Sequence, residues 1–141
     1  MRAALAIRTT VFVEEQRVPP DEEIDDHDRT DRAAVHALAV AGGEAGAAGT
    51  PRALGAGRFY AVDSATVQIG RMAVRADARG RGVGAALLTA LVNEARRRGF
   101  ARAHLHAQTH AATFYRKAGF DDDGPLMWDA GIEHQPMSLR L

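Results

Sequence analysis

The chain has 141 residues and a mass of 15.1 kDa, and 46% of its residues are hydrophobic, which predicts one compact domain with a buried core. Eighteen Lys and Arg balance eighteen Asp and Glu, and this zero net charge argues against a nucleic-acid-binding protein. The absence of cysteine excludes disulfides, a thiolate nucleophile and a thiolate metal site. No apolar run approaches the roughly 20 residues that cross a bilayer, and no signal peptide is evident, so we expect a cytoplasmic protein without a membrane partner.

The first half of the chain predicts one helix followed by strands. Apolar residues at spacings of three and four predict an amphipathic helix over residues 2–16, which a pair of prolines ends. Residues 21–31 are rich in Asp and Glu and predict an exposed acidic loop. A Gly- and Ala-rich turn is expected over residues 42–49, and Gly70 is a candidate bulge. Short apolar segments predict three strands, over residues 33–41, 52–62 and 66–75.

The second half begins with the strongest helical pattern, over residues 82–98, where apolar residues recur with a period of 3.6. Alternation then predicts a strand over residues 101–107, a short helix follows over residues 109–118, and a last strand covers residues 134–141. The whole order predicts a single mixed α/β (α+β) domain over residues 1–141, with a central, mostly antiparallel sheet and flanking helices.

The sequence R-G-R-G-V-G at residues 79–84 lies between a predicted strand and the longest predicted helix. Exposed amides at a helix N-terminus bind anions, and glycines let phosphate oxygens approach the backbone. Residues 71–107 contain eight Arg and only two acids, so a basic region surrounds this loop. The loop is therefore either a tight connection or a phosphate site.

One phosphate ligand is a dinucleotide, because G-x-G-x-x-A at residues 80–85 formally matches the dinucleotide fingerprint. Such a site needs an acidic residue about 20 residues further on to bind the ribose, and the strand over residues 101–107 ends without one. A dinucleotide-binding oxidoreductase is therefore only a distant alternative.

The other reading joins the loop to a second motif. R-x-x-G-x-G at residues 79–84 is followed about thirty residues later by F-Y-x-x-x-G-F at residues 114–120, a pair that is typical of acetyltransferases. Further matching positions run nearly from end to end: Arg8, residues 11–13, Glu15, Gln16, Val18, Pro19, residues 24–28, His36 and residues 69–74, 107–115 and 131–137. On these residues the chain resembles GNAT-superfamily N-acetyltransferases, most closely the ElaA-like branch.

The resemblance implies that acetyl-CoA lies in a V-shaped opening between two central strands and that its acetyl group passes directly to a primary amine of a small molecule or peptide. The implied pantetheine contacts come from the third predicted strand: Met72, Ala73 and Val74. The other implied cofactor contacts come from the glycine loop and the short helix: Arg79, Gly80, Arg81, Gly82, Val83, Gly84, Ala85, Phe114 and Lys117.

For catalysis, the resemblance assigns Tyr115 as the proton donor to the departing CoA thiolate. The residue that takes the proton of the amine stays open among five carboxylates and imidazoles: Glu15, His36, His110, Glu133 and His134. Glu15 and His134 match the signature of the ElaA-like branch, so they are the first candidates. A catalytically idle fold that binds acyl-CoA as a sensor is the non-enzymatic alternative.

Two features of the first half stay open. The acidic loop has three interpretations: a solvated segment, a surface that attracts a cationic amine, or a metal site. The metal site would consist of Asp25, Asp26, His27, Asp28 and His36. We expect no metal, because adjacent carboxylates point in different directions. GNAT domains usually begin with a strand before the first helix, and the residues for it are missing here, so either the sheet lacks this edge strand or the true start lies upstream. If the strand is missing, we expect an exposed sheet edge and consider a homodimer.

The neutral total charge conceals two opposed halves. Residues 1–70 carry seven basic and eleven acidic side chains, and residues 71–141 carry eleven basic and seven acidic side chains. This distribution suits an enzyme that joins a polyanion, such as CoA, to a cationic amine.

Overall fold

The structure is a computed structural model that describes residues 34–45 and 51–141. The predicted first helix, the acidic loop and the expected missing edge strand, with the dimer contact that it suggests, lie outside these residues. The strands are β1 (Ala34–Ala45), β2 (Pro51–Ala61), β3 (Thr66–Val74), β4 (Arg102–Gln108), β5 (Asp121–Asp122), β6 (Met127–Asp129) and β7 (Ile132–Arg140). The helices are α1 (Val83–Arg97) and α2 (Ala112–Lys117). Neither of these helices combines the length and the apolarity that crossing a bilayer requires.

The seven strands form one mixed sheet in the order β1-β2-β3-β4-β7-β5, with β6 also paired to β7. Strands β1 to β3 form an antiparallel meander, whereas β3 and β4 are parallel and are joined through α1. Strand β7 then pairs antiparallel with β4. The predicted mixed α/β class with a central, mostly antiparallel sheet is therefore confirmed.

Side chains alternate between the two faces of the sheet. The strand registers place apolar residues next to apolar ones on one face and polar residues together on the other. Helix α1 packs on one face, where a Cβ added at Gly57 would lie 3.0 Å from Leu91 Cδ1. The side chains on this α1 face include Phe59, Val67, Ile69, Ala103, Leu105 and Met137. The opposite face, called the polar face below, carries Arg58, Tyr60, Gln68, His104, His106 and His134.

The core lies between the α1 face and the two helices. The apolar stripe that the period of 3.6 predicts in α1 is buried, through Leu87, Leu88, Leu91, Val92 and Ala95. Phe59, Phe120, Ile69, Leu91, Met137 and Val67 are the largest fully buried side chains. Each such side chain stabilises the fold by about 1.5–3 kcal/mol relative to an exposed one, so this layer fixes the sheet and helices as one unit.

A bulge interrupts β3 one residue later than predicted. Gly70 pairs with Arg58 and Ala73 pairs with Ala56, so two residues of β3 face one residue of β2. Arg71, rather than Gly70, has the unusual backbone, with φ of 54°. The extra residue reverses the alternation, so that Met72 faces the helix side as Ile69 does.

The other differences from prediction occur at short or glycine-rich segments. Strand β1 continues to Ala45, into residues predicted as a turn. The helix predicted over residues 109–118 begins with a 3-10 turn at Thr109–Ala111. Strands β5 and β6 have two and three residues, which is too short for a periodic pattern, and sequence reasoning missed them.

Candidate active site

A cleft of about 680 Å³ opens through the sheet where β3 and β4 separate. The two strands pair only as far as Ile69 and Leu105, because the bulge at Arg71 turns the end of β3 away. Seven residues that the sequence proposed for the site line this cleft: Met72, Ala73, Val74, Arg79, His110, Tyr115 and His134. The fold thus brings together residues that are up to 62 positions apart in the chain.

The glycine loop leads from the end of β3 into the first turn of α1. Gly80 and Gly82 have φ of +80° and +77°, which favour glycine, and a Cβ added at either would meet no atom within 4 Å. Gly82 is also the N-cap of α1, so the first amides of the helix receive no hydrogen bond from a side chain there. These amides and the positive end of the helix dipole fit an anionic group such as a pyrophosphate.

Arginine side chains flank this loop. Arg79 lines the cleft, and its Nε donates a hydrogen bond of 3.1 Å to the carbonyl oxygen of Val74. Arg81 is exposed on the loop itself. The proposed residues from Gly80 to Ala85 come directly after Arg79 in the chain but do not line the cleft. Lys117 is exposed at the end of α2 and does not line the cleft either.

The first turn of α1 meets both β3 and α2. A Cβ added at Gly84 would lie 3.6 Å from Phe114 Cζ and 3.8 Å from Val74 Cγ2. Phe114 is half-buried and outside the cleft lining, so it supports the first turn of α1 from beneath. Three elements therefore meet around position 84 beside the loop, at ordinary van der Waals distances.

Tyr115 reaches the cleft from α2, on the α1 face of the sheet. Its ring makes edge contacts with Phe114 and Phe120, with centroids 5.0 and 6.0 Å apart, and the residue is buried. Burial disfavours the phenolate and raises the pKa of Tyr115 to about 12. Its hydroxyl therefore stays protonated at neutral pH and is available as a donor.

His134 reaches the cleft from β7, on the polar face. It is only 8% exposed, and its Nδ1 lies 2.7 Å from the carbonyl oxygen of Ile132. A carbonyl oxygen only accepts, so Nδ1 carries the hydrogen and donates it. The lone pair of neutral His134 is therefore on Nε2, which is the nitrogen that can accept a proton.

Comparison with known proteins shows the family. Residues 32–141 match the family model described as the acetyltransferase (GNAT) domain. The chain belongs to the GNAT acetyltransferase family. This GNAT protein is therefore an acyltransferase, of a family that moves an acyl group from acyl-CoA to an amine.

Relatives and solved GNAT structures resemble the chain over nearly its whole length. The uncharacterized N-acetyltransferase YjcF of Bacillus subtilis is 34% identical over 97% of this chain and 90% of its own. A putative N-acetyltransferase from Lactobacillus plantarum has a TM-score of 0.86 at 28% identity, over 99% of this chain and 90% of that chain. Escherichia coli ElaA has a TM-score of 0.79 at 27% identity, over 97% and 87% of the two chains. The resemblance to ElaA is thus confirmed at the level of fold and family.

Sequence reasoning missed several residues of this GNAT cleft on the polar face: Arg58, Gln68, His106 and Asp129. The alternation in β4 puts His104 and His106 on the face away from the core, but it carries no sign that β4 borders a cleft. Their rings are 5.1 Å apart, and Nδ1 of His104 donates to Oε1 of Gln68 at 2.8 Å. Partial desolvation lowers the pKa of both histidines, although His106 is largely exposed, so both favour the neutral form at pH 7.

The fold places one of the other base candidates in the cleft and keeps two outside it. His110 lines the cleft from the 3-10 turn before α2. His36 lies on β1 opposite Arg58, and Glu133 lies on β7 opposite Trp128; neither lines the cleft. Glu15 is outside the residues that the structure describes.

A metal site was considered only for the acidic loop, which also lies outside the described residues. Over residues 34–45 and 51–141, no three His, Asp or Glu side chains are close enough together to bind a metal ion.

Proposed function

We propose that this acyltransferase moves acetyl from acetyl-CoA to a primary amine, by direct attack of the amine on the thioester. The observation that carries the proposal is that one cleft crosses the sheet and has Tyr115 on the α1 face and His134 on the polar face. A donor for the thiolate and an acceptor for the ammonium proton thereby stand on opposite sides of one reaction centre.

The α1 face suits the CoA thioester. Beyond Ile69 the edge of β3 is no longer paired with β4, so backbone groups of residues 72–74 border the cleft and can pair with the amides of pantetheine. The pyrophosphate then meets the amides of the glycine loop, with Arg79 and Arg81 beside it. Lys117 offers a further contact at the nucleotide end.

The polar face suits the amine. In this proposal His134 accepts the ammonium proton at Nε2, the nitrogen left with a lone pair by the hydrogen bond to Ile132. The neutral amine attacks the thioester carbon, and a tetrahedral intermediate collapses with loss of the thiolate. Glu15 is the second candidate for the same role, either directly or through a water.

Tyr115 donates to the sulfur as the carbon–sulfur bond breaks. The burial that raises the pKa of Tyr115 to about 12 also disfavours a thiolate in the same place. The pKa values of the phenol donor and of the CoA thiol therefore shift in the same direction. The phenol hydrogen bond stabilises the developing negative charge on sulfur, and its proton is replaced from solvent after CoA leaves.

The function is tested by incubating the protein with acetyl-CoA and a panel of amines, including polyamines, amino sugars and peptides, and by measuring thiol release. The proposal predicts thiol release that depends on the amine, together with an acetylated product of matching mass. Tight CoA binding without turnover on any amine would instead indicate the acyl-CoA sensor. Titration with NAD(P)H, followed by its fluorescence, distinguishes the oxidoreductase.

A further inference from the structure

Three titratable side chains from three strands meet in the polar half of the cleft: His106 of β4, Asp129 of β6 and His134 of β7. The pKa of His106 reflects this proximity. Burial lowers it most, the charge of Asp129 raises it, and the charge of His134 lowers it. Asp129 and His134 are thus both close enough to act electrostatically on His106.

A two-residue turn holds Asp129 in this position. Asp129 pairs with Ile132 across Ala130 and Gly131, whose φ values are 51° and 75°. Both values are positive, as in the tight hairpin turns that match strand twist, although Ala130 has a Cβ and takes this conformation at a cost. The hairpin fixes Asp129 on the same face of the sheet as His134. Asp129 pairs with Ile132, and His134 lies two positions further along β7.

Asp129 is the one carboxylate among the described residues that line the cleft. The nearby Asp123 is already engaged, because it forms an ion pair with Arg102 and lies 3.8 Å from His104 Nε2. Three arginines also line the cleft: Arg58, Arg71 and Arg79. A cation that enters from the polar face therefore finds its attractive charge at Asp129.

We propose that Asp129 and His106 form the subsite that binds the ammonium group of the acceptor beside His134, so that the acceptor is an aliphatic amine that is cationic at neutral pH. This inference rests on the proposed function and names its acceptor class. Asp129 supplies the opposite charge, and the neutral His106 ring accepts a hydrogen bond from the ammonium. Among the described residues, the other acids and bases on the polar face include Arg58, Arg102, His104, Asp121, Asp123 and Arg140.

The proton and charge balance within this subsite. One ammonium proton passes to Nε2 of His134, and the freed nitrogen lone pair forms the bond to the thioester carbon. Asp129 stays ionised throughout and offsets first the ammonium and then the imidazolium of His134. The amine nitrogen loses its second proton to solvent when the tetrahedral intermediate collapses to the amide.

The first test compares Asp129→Asn with Asp121→Asn, which removes a charge from an exposed position outside this cleft. Each variant is assayed with acetyl-CoA and with two acceptors, cyclohexylamine, which is cationic at pH 7, and aniline, which is not. Asp129→Asn is expected to raise KM for cyclohexylamine about tenfold, the effect of losing one charged partner, and to leave KM for aniline unchanged. Asp121→Asn leaves both constants unchanged. An Asp129→Asn enzyme with the wild-type KM for cyclohexylamine overturns the proposal.

The second test needs no turnover and separates the subsite from the acetyltransferase activity. NMR titration of the histidine ring signals in the apoprotein is expected to give a lower pKa for His106 in Asp129→Asn than in the wild type, because the Asp129 charge raises it. Cyclohexylammonium is expected to shift the His106 signals in the wild type and not in Asp129→Asn. Those shifts without acetylation of any amine contradict the proposed function alone. Acetylation of cyclohexylamine without those shifts contradicts the subsite alone.

Discussion

Tyr115 combines a place in the core with a polar group at the cleft. Its ring packs between Phe114 and Phe120, and the residue also lines the cleft between β3 and β4. The motif at residues 114–120 predicts an aromatic cluster, and the resemblance to GNAT proteins proposes a donor. The separation of β3 and β4 in the fold makes both roles compatible in one side chain.

Replacing Tyr115 by Phe removes the hydroxyl and keeps the ring contacts. We expect kcat to fall by about 10²-fold or more, because the developing thiolate loses its donor, with the Kd for acetyl-CoA within about twofold of the wild type. Stopped-flow or thiol-release kinetics measures the first value and calorimetry the second. An unchanged melting temperature is the control for folding, and wild-type turnover in this variant would remove the assignment.

Helix α1 was the element most completely predicted from sequence. Its buried stripe, its start at Gly82 and its end before Gly99 all follow from local signals. Strands β5 and β6 gave no such signal, since two and three residues are too few for a periodic pattern. Asp129 was missed for that reason, whereas His106 was visible in the alternation of β4 but had no known neighbour.

The two ends of α1 provide a matched test of the glycine loop. Gly82 and Gly99 have φ of +77° and +87°, and a Cβ added at either meets no atom within 4 Å. Alanine at each position therefore costs a similar 1–2 kcal/mol of unfolding free energy, about the penalty of a left-handed alanine. Only Gly82→Ala is expected to raise the Kd for acetyl-CoA, by about tenfold, because its methyl group blocks the approach of phosphate to the amides. Calorimetry measures the Kd for acetyl-CoA of both variants. An equal Kd in the two variants would contradict a phosphate site at this loop.

At the scale of the whole molecule, the fold divides the basic region that the sequence placed around the glycine loop. Arg96, Arg97 and Arg98 lie at the far end of α1, roughly 20 Å away at 1.5 Å per residue. Arg97 and Arg98 also form ion pairs with Glu94. The local excess of positive charge at the loop is therefore smaller than the count over residues 71–107 suggests.

This distribution predicts that position, not net charge, controls CoA binding. Arg81→Gln and Arg96→Gln remove the same unit of charge from exposed positions at opposite ends of α1. We expect Arg81→Gln to raise the Kd for acetyl-CoA about threefold to tenfold and to weaken its dependence on salt, and Arg96→Gln to change neither. Calorimetry at two ionic strengths makes the comparison. A similar effect from both variants would favour a long-range field of the whole basic half instead.

The sequence by itself determined the zero net charge, the absence of sulfur nucleophiles, the α1 helix, the strands from β1 to β4 and the glycine loop, because each depends on composition or on residues within a few turns of each other. The tertiary structure decided which of these residues meet. The bulge at Arg71 and the separation of β3 from β4 open the cleft, and the pairing of β6 with β7 sets Asp129 beside His106 and His134. The β6–β7 hairpin is local, but the contacts of β4 with β3 and β7 join strands distant in sequence, and no local periodicity encodes them, since they depend on how the sheet is assembled.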